Sequence, residues 1–245
     1  MRVLILAAGY GTRLYPLTLR IPKALLSLGE KTIMDILIEK IEELKKEIKI
    51  EEVVLVSNHK FYKKFVEWCK KTNKEIVVLD DGSTSAEKRR GAVGDIKFGI
   101  GKKRDDWLII GSDNIFDWKL NNFVIFSLKK RPYPVVGLYQ LNDKKKITQL
   151  GIVKVKKGII EELIEKPKEA FSDMIATCIY FFPKESLKFV DEYIKEKKDL
   201  DVIGNYIQWL IKKTKVYGYI FEGTWIDIGT KESLKEAKEL FSYAN

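Results

Sequence analysis

The chain has 245 residues, enough for one large α/β domain or at most two small ones, and 45% of them are hydrophobic, so a sizeable core can be buried. Lys and Arg total 45 against 35 Asp and Glu, and the resulting charge of +10 suits nucleic acid, membrane surfaces or phosphorylated small molecules without choosing among them. A single histidine, His59, and two unclustered cysteines, Cys69 and Cys178, leave no disulfide framework or zinc cluster, and no Ser-His-Asp triad unless it uses His59. No apolar run matches a signal-peptide core or a membrane span, so a cytoplasmic protein with no membrane partner is expected. Abundant Lys, Glu and Ile with only three Gln leans toward a thermophilic source.

Arg2 to Ala8 reads as a buried parallel strand (Val3, Leu4, Ile5, Leu6) that ends in Gly9-Tyr10-Gly11-Thr12-Arg13, with Lys23 a few residues on. Glycines bring backbone N–H groups close to a ligand, and Arg13 and Lys23 add fixed positive charge, so the stretch suits a polyphosphate. A helix follows with Ile33, Leu37, Ile41, Leu44 and Ile48 on one face. Val53 to Val56 is a second strand, and Phe61, Phe65, Trp68 and Cys69 mark a second helix with His59 at its start, in a capping or loop role. Ile76 to Leu79 is a third strand, opening into the polar loop Asp80 to Ser85. Arg89 to Asp95 reads as a second glycine turn, through Gly91, into a helix containing Phe98 and Ile100.

Trp107 to Ile110 is a fourth strand, capped by Gly111-Ser112-Asp113-Asn114, and a helix through Phe123, Phe126 and Leu128 comes next. Three strand-like runs follow without helices between them, Pro134 to Leu141, Leu150 to Val155 and Ile159 to Ile164, and the last leads into Glu165-Lys166-Pro167. Ile175 to Phe182 is a further strand. Amphipathic helices span Leu187 to Lys195 and Val202 to Lys212. The strand Lys215 to Phe221, the segment Thr224 to Gly229 and a last helix with Leu234, Ala237, Leu240 and Phe241 close the sequence, with Thr230 as its N-cap. The alternation in the first half and the consecutive strands in the middle imply an α/β fold with a mixed, mostly parallel central sheet. No Pro- or Ser-rich linker divides the chain, so a single domain over 1–245 is expected, with its second half packed as a substrate-binding lobe.

The glycine loop is not a dinucleotide fingerprint, because Leu14 stands where G-x-G-x-x-G needs its third glycine, and it has no Gly-Lys-Ser/Thr ending of a P-loop. Asp113 and Asp227 each follow an apolar strand-like run, which puts carboxylates at strand ends, where open α/β sheets bind ligands. The scattered lysine runs, such as Lys144-Lys145-Lys146, interleave with acids and read as solvated faces, so no nucleic-acid partner is expected.

Leu6 to Thr18, Pro22-Lys23-Ala24-Leu25-Leu26, Gly111-Ser112-Asp113-Asn114, Glu165-Lys166-Pro167 and Trp225 to Thr230, in that order, resemble the signature of sugar-1-phosphate nucleotidylyltransferases, such as the glucose-1-phosphate thymidylyltransferases and uridylyltransferases. The resemblance covers nearly the whole chain. It implies a three-layer αβα Rossmann-like fold, with a nucleotide-binding half at 1–130 and a sugar-phosphate-binding half at 131–245. By it Gly9, Gly11, Thr12 and Arg13 hold the nucleotide's phosphates, Ala8 and Gly91 lie near the sugar and base, and Lys23 meets the phosphates at the reacting centre. Asp113 and Asp227 hold Mg²⁺. Gly151 and Glu165 face the sugar, and Lys166 faces its phosphate. The implied substrates are a nucleoside triphosphate, dTTP or UTP, and a sugar-1-phosphate, glucose-1-phosphate.

The implied reaction is in-line attack of the sugar phosphate on the α-phosphorus, with loss of pyrophosphate. The nucleophile is already an anion, so no general base is required. Mg²⁺, Arg13, Lys23 and Lys166 would offset the repulsion between anions. The chain departs from its relatives at Asp80-Asp81-Gly82, where a base-reading glutamine stands elsewhere, and at Cys178, where many have glycine. It also lacks a sugar-phosphate arginine, for which Lys198 is the nearest cation. No hexapeptide-repeat β-helix pattern is present, so no fused acetyltransferase is expected. Phosphocholine or inositol phosphate as acceptor, and a non-catalytic sugar-nucleotide-binding module, are the alternatives. A homo-oligomer is compatible with the sequence.

Overall fold

The computed structural model describes residues 1–196 and 199–242. In chain order its elements are β1 (Arg2–Ala7), β2 (Ser27–Leu28), β3 (Lys31–Thr32), α1 (Ile33–Lys45), β4 (Glu52–Ser57), α2 (His59–Thr72), β5 (Val77–Asp80), α3 (Ala92–Ile100), β6 (Trp107–Gly111), β7 (Asn114–Phe116) and α4 (Asn121–Lys129). They continue as β8 (Val135–Gln140), α5 (Lys144–Ile147), β9 (Gly151–Lys156), β10 (Ile159–Glu165), β11 (Met174–Phe182), α6 (Lys188–Glu196), α7 (Ile203–Leu210), β12 (Tyr217–Phe221), β13 (Trp225–Asp227) and α8 (Lys231–Ser242). They form two compact units, the first built from Met1–Arg89, Ile110–Leu120 and the chain from Gly223 onward, the second from Arg90–Ile109 and Asn121–Glu222.

In the first unit β1 pairs with β4 and β4 with β5, all parallel. Val3, Leu4, Ile5, Val54, Leu55 and Val56 are fully buried, as strands covered on both faces require. The intervening helices start at well-made caps. Thr32 and Asp35 form a reciprocal capping box on α1. Asn58 caps α2 by accepting from Phe61 N at 3.0 Å. Helix α1 ends at Lys45, so Ile48 lies beyond it. A short antiparallel ribbon, β7 with β13, aligns Asn114 with Asp227. Leu14, Leu28, Ile33, Ile36, Ile115, Ile226, Ile228, Leu234 and Ala237 form one buried cluster, which welds the glycine loop, the ribbon, α1 and α8 together. Ser233 N donates to Thr230 Oγ1 at 3.2 Å, the expected cap of α8.

In the second unit β8 lies antiparallel to β11 and parallel to β12, and β10 lies antiparallel to both β12 and β9. Helix α7 packs on β10. Tyr206 of α7 stacks edge-on with Phe182 and Tyr193, joining α6, α7 and the end of β11. The parallel and antiparallel pairings together make the mixed α/β architecture expected from the sequence. Cys178 sits in the left-handed region at φ 58°, where the β11–β8 register shifts between Ala176 and Tyr180. That is a conformation in which glycine is at ease and a side chain is strained.

Candidate active site

In the first unit the glycine loop leaves β1 and is pinned at several points. Asn58 Nδ2 donates to Ala8 O at 2.9 Å, Tyr10 OH to Ser83 O at 2.8 Å, and Thr18 Oγ1 to Gly11 O at 2.7 Å. Gly11 has φ 62° and precedes the tight turn Thr12–Leu14, whose Leu14 is buried in the shared core. A Cβ at Gly9 would meet nothing within 4 Å, whereas one at Gly11 would press on Thr18 at 3.1 Å. Gly9 therefore leaves open space beside an immobilised backbone, and Gly11 makes the turn that carries Thr12 and Arg13 outward. Both of those side chains are exposed.

Asp113 follows β6 and Asp227 ends β13. Ile228 N donates to Asp113 O at 2.9 Å, and Asp227 is aligned with Asn114, so the ribbon holds the two aspartates on neighbouring backbone positions. Lys23 reaches Asp113 with Nζ 2.6 Å from Oδ2, a half-buried pair. A Cβ at Gly229 would stand 2.8 Å from Asp227 Oδ2 and 3.4 Å from the Arg13 guanidinium, so carboxylate and guanidinium converge on the bare face of that glycine. Asn114, 2% exposed, accepts from Trp225 Nε1 at 2.8 Å and donates to Gly111 O at 3.1 Å, tying the turn before Asp113 to the strand that carries Asp227.

In the second unit Gly151 and Glu165 are cross-strand partners, and Lys166, at φ 46°, donates its N–H to Leu150 O at 3.0 Å. Burial pushes the Glu165 carboxyl above the usual carboxylate range, while the Lys166 charge and a hydrogen bond from the Gly204 backbone work against that rise. Gly91 lies against different atoms. It has φ 81°, a region that favours glycine, and a Cβ there would come within 2.5 Å of the Leu200 carbonyl, so backbone conformation and packing both require glycine. Ala92 N and Val93 N donate to Asp201 O and Leu200 O at 3.2 and 2.9 Å, so protein carbonyls already satisfy the start of α3. Lys198 lies outside the described residues.

The nucleotidyl transferase family model matches residues 2–242. The chain belongs to the nucleotidyl transferase family. It is 31% identical over 238 residues to the bifunctional protein GlmU of Methanococcus aeolicus, covering 97% of this chain and 53% of that protein. It is 25% identical to the mannose-1-phosphate guanyltransferase of Saccharomyces cerevisiae, covering 98% of this chain and 64% of the other. The chain thus spans about half the length of the GlmU relatives it matches. A Bacillus anthracis structure assigned as a glucose-1-phosphate thymidylyltransferase superposes with a TM-score of 0.83 at 24% identity, over 98% of this chain and 94% of that one, which shows the shared fold.

For a nucleotidyl transferase, several structural residues were missed in the sequence. Asn58 reads there as the end of a strand, yet it holds both the loop and α2. Gly204 lies in the second turn-position of α7, and a Cβ there would collide with Glu165 Oε1. An isolated glycine inside an amphipathic helix was the available signal. Asp80 and Asp81, where the sequence departs from the family signature, are engaged in the loop. Asp80 Oδ2 lies 2.6 Å from His59 Nδ1, and Asp81 accepts from Ser83 N at 2.6 Å and from Ser83 Oγ at 2.9 Å. His59 is the first residue of α2, beside the cap rather than in it.

Proposed function

We propose that this chain transfers a nucleotidyl group from a nucleoside triphosphate to a sugar-1-phosphate, giving a nucleotide sugar and pyrophosphate. The observation that carries the reading is the convergence, within one unit, of the pinned glycine loop, the Lys23–Asp113 pair and Asp227. Gly9, Gly11 and Thr12 line the triphosphate, with Ala8 toward the nucleoside. Arg13 and Lys23 hold the phosphates in line for attack and offset their charge. Asp113 and Asp227 would hold Mg²⁺, which typically binds through one or two carboxylates together with substrate phosphates. Among the described residues no group of three or more acidic, histidine or cysteine side chains gathers for a metal. When bound, the ion would neutralise charge on the transferring phosphoryl group. Lys23, which lies against Asp113, would meet the phosphates at the reacting centre. Gly151, Glu165 and Lys166 take the acceptor, with the Glu165 carboxylate on sugar hydroxyls and Lys166 on the phosphate.

For the substrates, dTTP or UTP with glucose-1-phosphate is the pair first read from the sequence. The name of the Saccharomyces cerevisiae relative adds guanylyl transfer to mannose-1-phosphate as a rival. A panel settles the choice: each nucleoside triphosphate with Mg²⁺ and each of several sugar-1-phosphates, phosphocholine and inositol phosphate, scored by pyrophosphate release. The account expects one triphosphate and one sugar-1-phosphate to stand out. Release with phosphocholine or inositol phosphate alone would overturn the acceptor class, and no release with any pair would overturn the activity.

A further inference from the structure

The second unit contains a hollow of about 550 Å³ formed by the end of α3, the loop after it and the start of α6. That volume lies in the range of about 300–1,000 Å³ common for small-molecule sites. Its floor is apolar, with Val190 at 1% and Ile100 at 5% exposure. Its walls are cationic. Lys97 pairs with Asp191 at 2.5 Å, and Glu185 is drawn away to Arg131 at 2.7 Å. Lys102, Arg104, Lys184 and Lys188 also line the hollow, and among the described residues none of the four enters an ion pair. Cations held around one concavity repel one another and raise its positive potential, which an anion relieves. Residues assigned to catalysis do not line it.

We propose that this hollow is a binding site for a small molecule carrying a di- or triphosphate, separate from the reaction site. Four cations outside any ion pair among the described residues exceed what one phosphate can use, and two or three linked phosphates match them. The concave form suits a compact ligand, whereas nucleic acid is tracked by an extended basic stripe. The group could come as free polyphosphate or on a nucleotide, and the two are separable by experiment. The proposal does not depend on the proposed reaction.

The test is calorimetric titration of the full chain with inorganic tripolyphosphate at physiological salt, and in a parallel arm with ADP. The expected result is a binding event weakened roughly tenfold or more by Lys184→Glu/Lys188→Glu, and likewise by Lys102→Ala/Arg104→Ala, but retained in Arg13→Ala. All four substituted side chains are exposed, so far-UV circular dichroism and melting should match the unaltered chain. Tighter binding of ADP than of tripolyphosphate would identify a nucleotide as the source. Binding unchanged in both double variants, or lost in Arg13→Ala, would overturn the proposal. So would a short single-stranded RNA that binds tightly and responds to the variants while tripolyphosphate does not.

Discussion

Glu165 is held between two glycines, Gly151 across the sheet and Gly204 at the start of α7, and each leaves room for its carboxylate. An alanine at Gly204 would strike the far end of a flexible side chain, which can swing away at little cost to the fold. Gly204→Ala should therefore raise the KM for sugar phosphate about tenfold or more, with the melting temperature nearly unchanged, a split that steady-state kinetics and a thermal melt would resolve. Burial raises the Glu165 pKa, so its charged form opposes folding, and any stability it adds is present at low pH and lost as pH rises through the raised pKa. Binding, by contrast, uses the carboxylate. The KM for sugar phosphate should fall as pH rises through that value, and Glu165→Gln should flatten the profile. Cys178, at φ 58° in a strand irregularity, invites the reverse change. Cys178→Gly should leave stability unchanged or raised by up to about 1 kcal/mol in chemical denaturation, because the strain relieved offsets the entropy lost. That the strand-like run ending at Ile164 leads straight into Glu165 and Lys166 was legible from the sequence, while their role came only from the family resemblance. Gly204 was not, because its role depends on a neighbour 39 positions away in the chain.

At the scale of elements, long apolar runs were legible and short pieces were not. Val53 to Val56 and Trp107 to Ile110 declare themselves by continuous burial potential, and Thr230 declares the start of α8. The ribbon of β7 and β13 has three residues in each strand, too few for a period, yet it aligns the two aspartates. Its hold comes from the core cluster beneath, where Ile228 is fully buried. Ile228→Ala should cost about 2–5 kcal/mol in chemical denaturation and lower turnover as well, because the backbone that donates to Asp113 O loses its anchor. Helix α3 depends on Gly91 in another way. A Cβ there meets backbone atoms of Leu200, which cannot swing aside. Gly91→Ala should destabilise the protein by about 2–4 kcal/mol, in contrast to the near-silent melt expected of Gly204→Ala.

For the whole molecule, the alternation of strands and helices and then the run of strands were enough to read a mixed α/β fold. The interleaving of the two units was not legible. The chain enters the second unit near Arg90, returns at Ile110 and leaves again at Asn121, with no linker composition to mark the crossings. The first unit nonetheless gathers the glycine loop, Lys23, Asp113 and Asp227 from positions spread across the sequence, and this gathering is the basis of the proposed chemistry. The most direct test is the Mg²⁺ dependence of pyrophosphate release by the unaltered chain, Asp113→Asn and Asp227→Asn, on the best substrate pair. The account predicts turnover that requires Mg²⁺ and falls roughly 100-fold or more in each variant, with unchanged melting curves. Turnover near that of the unaltered chain in either variant, with Mg²⁺ present, would contradict it.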